Sequence, residues 1–327
     1  MKKILLFSAI AIMAACTKTG EIYTGTDEDQ VEIKLKSTAL SIDVATKAPF
    51  DGTIGTPAGN NLTARVIAST ATGNYATANV YADGNMTFTN DGTNEVGYSG
   101  TKYYYPANDD LLYFCGLYPA TASWTALGTT TSLTFSGTED AMAAAETSGQ
   151  KSTAQAGTHP ALAFKHLLTK LVIKVVAEDA AAITAWGNIT GITLTAANGA
   201  TTLRNQVAVD LKAGAAATTT AFSGTGTSFP FYGTRSDAVL TSYTLTSTAV
   251  EIAYSMVAPI VATGTDDFTL NVKTVNNTTG ATVKLALTSG DTQGKSYTIT
   301  LTFKATEIKA TATVTDWVDV PLATDVI

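Results

Sequence analysis

Few side chains in this sequence could perform chemistry, and their spacing decides what kind. The two histidines, His159 and His166, lie either side of Pro160. Zinc asks for three or four closely placed nitrogen, sulfur or carboxylate ligands. Neither a cysteine nor a carboxylate pair stands beside these histidines, so they read as strand-edge or hydrogen-bonded residues. No metal or other cofactor is expected. No serine sits in a nucleophile-elbow frame, and no glycine-rich loop matches a phosphate cradle. The acids Asp27-Glu28-Asp29, Asp109-Asp110 and Asp266-Asp267 fall in loop-like contexts. With no nucleophile, base and orienting partner in one pattern, the chain does not read as an enzyme. The run Lys102-Tyr103-Tyr104-Tyr105-Pro106, with Trp124 beyond it, offers a different chemistry. Aromatic planes stack on sugar rings, so Tyr103, Tyr105 and Trp124 form a candidate ligand face. The plainer reading is that alternate tyrosines of one strand fill a core.

The remaining chemical candidates are processing sites. Met1-Lys2-Lys3 is a short basic stretch, and Ile4 to Ala15 carry no charge. That run is too short for a permanent membrane helix, which needs roughly 20 residues, so residues 1–15 read as a signal peptide to be removed. It closes on Met13-Ala14-Ala15-Cys16, which resembles a bacterial lipobox. The resemblance implies that Cys16 becomes the first residue of the mature chain and carries acyl chains, each buried methylene contributing about 0.8 kcal/mol to membrane attachment. An ordinary secretory signal with an incidental Cys16 is the alternative. The chain has two cysteines, so lipidation of Cys16 leaves Cys115 without a disulfide partner. Within Leu111-Leu112-Tyr113-Phe114-Cys115-Gly116-Leu117, Cys115 reads as a small buried hydrophobe, with no His or basic neighbour to activate it.

The elements that must position these residues are strands. Apolar residues make up 45% of the 327 and charged residues 14%, and Thr, Ala and Gly are abundant, a composition that favours short strands and polar turns over helices. The net charge of −7 argues against nucleic acid, which asks for a basic face, and against electrostatic attachment to anionic lipid. Residues 16–30 read as a polar tether. Val31, Ile33 and Leu35 alternate with charged residues, the period of a half-buried strand. The apolar phase then slips by one, and Leu40, Ile42 and Val44 continue on even numbers, marking a bulge or break near Ser37 and Thr38. Lys47-Ala48 follows, then a glycine-rich loop by composition over 51–61.

Short apolar or alternating runs recur from Leu62 onward with turn signals between them, the spacing of a β-sandwich. Residues 136–158, low in apolar bulk, read as a linker or an excursion with one helical turn. FKHLLTKLVIKVVAE, carrying Leu167, Leu171, Ile173 and Val175, reads as one strongly apolar strand. Two hairpins are expected, one turning at Asn276–Gly280 and one at Ala305-Thr306-Glu307. The count of about seven strands on each side of residue 160 favours two successive sandwiches, 48–160 and 161–327. At residues 318–327, Val318, Val320 and Leu322 alternate before Pro321 and Asp325 interrupt; with Val326 they either finish the second sandwich or form a free donor strand.

Taken in order, the lipobox, the first strand ending Ala45-Thr46-Lys47-Ala48, the internal FKHLLTKLVIKV and the closing KSYTITLTFKATEIKATATVTDWVDV resemble the fimbrillin family of anaerobe type V pili. The resemblance spans residues 1–327. It implies an all-β lipoprotein precursor with two tandem transthyretin-like β-sandwich domains, carried to the outer membrane by the lipoprotein-processing machinery. It further implies cleavage by an outer-membrane trypsin-like protease, here after Lys47 with Ala48 as the new first residue, since Lys47 stands where the oral prototypes carry arginine. The strand Val31–Val44 would then leave its groove, and a terminal strand of another fimbrial subunit would fill it. The expected partners are thus other subunits, the protease, and host or bacterial surface ligands. The rival expectation is a monomeric surface lipoprotein that binds glycans through Tyr103, Tyr105 or Trp124.

Overall fold

The computed structural model describes residues 30–38, 61–88, 95–216, 221–234 and 238–316. The chain is all-β, with two short helices among the described residues. The strands in order are β1 (Leu35–Thr38), β2 (Leu62–Ser69), β3 (Val80–Phe88), β4 (Glu95–Val96), β5 (Leu112–Tyr118), β6 (Thr130–Thr134), β7 (Met142–Gly149) and β8 (Ala161–His166). Helix α1 (Lys151–Gln155) lies between β7 and β8. There follow β9 (Thr169–Ala177), helix α2 (Ala180–Trp186), β10 (Ile189–Ala197), β11 (Gln206–Asp210), β12 (Ala215–Ala216), β13 (Phe222–Ser223), β14 (Phe229–Pro230) and β15 (Tyr232–Gly233). The last are β16 (Val250–Val257), β17 (Val261–Ala262), β18 (Phe268–Thr274), β19 (Ala281–Leu285), β20 (Gly290–Asp291), β21 (Lys295–Phe303) and β22 (Ile308–Asp316).

Seven strands form the first sheet, in the order β3-β2-β5-β7-β8-β1-β4. Its two ends approach each other, since the Ser99 amide donates to the Asn85 carbonyl at 2.7 Å. The sheet therefore curls around its own core, which holds Ile33, Leu35, Val66, Phe88, Phe114 and Phe164. The other face of β2 and β5 carries Ile67, Cys115 and Leu117 into a second, larger core shared with Leu171, Ile173, Ile192 and Phe231. A strand covered on both faces has no polar side to alternate with its apolar one. That explains why residues 111–117 read as a continuous apolar run.

The sheets β15-β16-β9-β21-β22 and β14-β10-β18-β19 carry much of the larger core. Their most regular piece is the expected C-terminal hairpin, in which Lys304 donates to Glu307 across the β21–β22 turn at 2.8 Å. The other expected hairpin is β18–β19. Strand β6 pairs with β11, so residues 130–134 are hydrogen-bonded to the later half of the chain. The division drawn at residue 160 falls at the start of β8, whose partners are β7 and β1.

Two local expectations are corrected. Residues 142–149 are not linker: β7 is an interior strand between β5 and β8. Its alanines would suit a helix, yet Ala143 and Ala144 are each 1% exposed, and their small side chains leave room for the bulky residues of the neighbouring strands. Tertiary pairing overrides propensity here. FKHLLTKLVIKVVAE is two strands rather than one, because β8 ends at His166 in the first sheet and β9 begins at Thr169 in another. The buried phase shifts accordingly, from Leu162 and Phe164 to Leu171, Ile173 and Val175.

Candidate functional site

The site with a legible purpose is the slot occupied by the first described segment. Strand β1 does not lie on an edge. On one side β1 runs parallel to β8, Lys36 opposite Ala161, and the Lys36 amide donates to the Pro160 carbonyl at 2.8 Å. On the other side β1 pairs antiparallel with β4, Leu35 opposite Val96. Upstream, the Ile33 amide donates to the Tyr103 carbonyl at 2.8 Å, and the Tyr105 amide donates to the Val31 carbonyl at 2.9 Å.

Inward-pointing Ile33 and Leu35 are 1% and 0% exposed. Val31, half-buried, packs against the same core. Tyrosines border the slot: the Tyr98 and Tyr103 rings meet edge-on with centroids 4.9 Å apart, and Tyr105 meets Phe114 in the same manner at 6.3 Å. Burial raises the Tyr98 phenol well above its usual range and pushes Tyr105 up to about 12, so both are neutral donors at any physiological pH.

Outward-pointing residues carry charge. Glu32 meets Lys102 at 3.3 Å and Lys36 meets Glu95 at 3.5 Å. Glu95 also faces His159 Nε2 at 3.5 Å. Such partly exposed pairs contribute little to stability, but they oppose a one-residue slip, which would bring the wrong face inward. Gly97 admits this arrangement, since a Cβ there would stand 2.9 Å from the Glu32 carboxylate.

The sequence-predicted residues are placed as follows. Val31, Ile33 and Leu35 fill the slot. Leu40, Ile42, Val44, Lys47 and Ala48 lie outside the described residues, as do Cys16 and the candidate donor residues Val318, Val320, Leu322 and Val326. Tyr105, 5% exposed, belongs to the first core, whereas Trp124, 8% exposed, belongs to the larger one and donates its Nε1–H to the Pro119 carbonyl at 3.0 Å. These two rings and the half-buried Tyr103 therefore present no shared exposed face. His166 is hydrogen-bonded through Nδ1 to Asp140 at 2.9 Å, both side chains buried. Cys115 is fully buried, and burial raises its thiol pKa far out of the reactive range. Sequence reasoning missed Glu95, Gly97, Tyr98 and His159 as slot residues. They come from segments distant in the chain, and no local pattern marks them.

The fold and the slot define a class: a β-sandwich protein whose core is completed by its own first strand. The chain belongs to the fimbrillin-like family, whose model matches residues 46–317. It is accordingly a fimbrial or adhesin-like protein of the cell surface. Solved structures of similar fold include a candidate cell adhesion protein from Bacteroides uniformis, at TM-score 0.56 and 15% identity, covering 90% of this chain and 100% of that one. A candidate cell adhesion protein from Bacteroides ovatus gives 0.53 at 14% identity, covering 88% and 98%. A fimbrial protein from Bacteroides vulgatus gives 0.50 at 17% identity, covering 88% and 100%. At these identities the likeness is one of fold. No curated protein sequence matches the chain.

Proposed function

We propose that this protein is the precursor of a fimbrial subunit or fimbria-associated adhesin, assembled by strand exchange. In this reading Cys16 carries the lipid anchor that delivers the chain to the outer membrane, and a trypsin-like protease cuts after Lys47. The segment before the cut leaves, and a terminal strand of another subunit takes its place. Residues 318–327 are the candidate donor in this chain.

The observation that carries the reading is the interior position of β1, between β8 and β4. A protein that sheds it gains an open slot with hydrogen-bonding groups on both sides. Refilling the positions of Ile33 and Leu35 recovers roughly 1.5–3 kcal/mol for each buried side chain, and backbone pairing sets direction and register. While the first strand remains attached, its effective concentration is far above that of any free competitor. Cleavage removes that advantage. An edge of this kind is normally protected against pairing; here it would serve assembly. The family match begins at residue 46, next to Lys47, and leaves residues 31–38 outside although they supply core side chains.

The test is N-terminal sequencing of protein recovered from the cell surface, together with Lys47→Ala. A start at Ala48, and loss of polymer ladders on gels in the variant, is the expected result. Assembly unchanged in Lys47→Ala would remove the processing claim.

A further inference from the structure

We infer that the slot selects its incoming strand by charge: an acidic residue at the place of Glu32 and a basic one at the place of Lys36. The inference rests on the strand-exchange reading and specifies the chemistry of the partner strand.

The two residues that would read this pattern sit on one wall of the slot, outside the segment that cleavage removes. Residues 95–96 pair with the resident strand at Lys36 and Leu35, and residues 103–105 bond to it at Ile33 and Val31. At one end of that wall Glu95 meets Lys36 at 3.5 Å; at the other, Lys102 meets Glu32 at 3.3 Å. Emptied, the wall presents an anion at one end and a cation at the other. His159 Nε2 also meets Glu95 at 3.5 Å, a contact that does not depend on the strand. Lys34 stands between Glu32 and Lys36 in the same phase, yet it forms no ion pair among the described residues. The wall therefore reads two positions of the outward face and leaves the middle one unread.

Partly exposed pairs add little to affinity; burial of Ile33 and Leu35 and backbone pairing supply the hold. Opposite charges at the two ends of a wall instead rank strands of equal hydrophobicity. A one-residue slip is refused by burial, because it turns the apolar face outward. A slip of two residues keeps that face inward and meets its penalty in charge. A strand entering in reverse would set its base against Lys102 and its acid against Glu95, and facing like charges are destabilising. The occupant we assign is accordingly a donor strand with aliphatic residues inward and, outward, an acid followed four residues later by a base.

The experiment uses the full chain cut after Lys47 and offers it synthetic peptides of residues 30–38 in exchange for its own first segment. Two of them, Lys34→Gln and Lys36→Gln, have the same composition and net charge. The Lys36→Gln peptide is expected to bind about two- to fivefold more weakly than the Lys34→Gln peptide. A Lys36→Glu peptide is expected to bind about tenfold more weakly than the parent peptide. In a Glu95→Lys chain that order is expected to invert, with Lys36→Glu the tighter of the two. Equal binding of the two glutamine peptides, or an unchanged order in the Glu95→Lys chain, overturns the inference and leaves strand exchange standing. Entry of no peptide would remove the strand-exchange reading and the inference with it.

Discussion

The Ile33 amide and the Tyr103 carbonyl are joined by a 2.8 Å hydrogen bond, and the Ile33 side chain beneath it is 1% exposed. One residue thus contributes both a backbone bond and a core side chain. The two ion pairs that accompany it, Glu32–Lys102 and Lys36–Glu95, lie on the solvent side. Attachment of this segment is governed by burial and backbone pairing, with charge confined to fixing register.

Leu35→Ala measures that attachment directly. The side chain is wholly buried, so truncation is expected to destabilise the uncut chain by about 2–4 kcal/mol. Urea unfolding followed by tryptophan fluorescence reads the shift. A change below about 0.5 kcal/mol, the range of surface substitutions, would mean that the strand does not complete the core.

Gly116→Ala tests the packing of β5 against β8. A Cβ at this position would lie 2.6 Å from Phe164 Cζ and 3.3 Å from Leu162 Cδ1. Phe164 is itself held edge-on against Phe88 at 5.9 Å, which limits its retreat. A loss of about 1–3 kcal/mol is expected from overpacking. Adding Phe164→Leu should recover part of it, giving a non-additive double-mutant cycle.

Asp267 organises the turn before β18. Its Oδ1 accepts from the Thr263 amide at 2.6 Å and hydroxyl at 3.0 Å, and its Oδ2 from the Gly264 and Leu287 amides at 3.1 and 2.8 Å. Burial alone would raise this carboxyl, but the four donors outweigh it and hold it below its ordinary value. A carboxyl depressed in the folded state contributes stability that is complete above its unfolded pKa and is lost as pH falls through the folded one. Denaturation midpoints measured from neutral pH down through the carboxylate range should therefore fall less steeply in Asp267→Asn than in the parent. Parallel curves would show that the carboxylate is not the linked group.

Cys115 serves as a reporter of the core shared by the two halves. It is fully buried, and burial raises its thiol pKa, so the thiolate that reacts with alkylating reagents is scarce and shielded. In a Cys16→Ser chain, labelling should be slower in native buffer than in denaturant by at least about a thousandfold, as expected where reaction waits on global opening of a domain of ordinary stability. Rapid native labelling would show that β5 opens locally.

How much of this was legible before folding can be judged from particular elements. The alternation at Val31, Ile33 and Leu35 marked a strand, and the two hairpins β18–β19 and β21–β22 followed from their turn residues, because those signals are local. β7 was hidden because alanine carries no strand signal, and only the bulk of its neighbours makes a place for it. The break between β8 and β9 was hidden because the Leu167-Leu168 pair is apolar in both strand phases, so a change of sheet left no polar mark.

The sequence alone determined the class of structure, through composition and period-two patterning, and it located the first strand and the basic residue after it. Only the tertiary structure decided that this strand is interior, that Glu95, Gly97, Tyr98 and His159 gather around it, and that Tyr105 and Trp124 enter separate cores. The reason is physical. Patterning fixes which face of a strand avoids water, whereas the choice of neighbour depends on contacts between residues far apart in the chain, and no local spacing encodes those contacts.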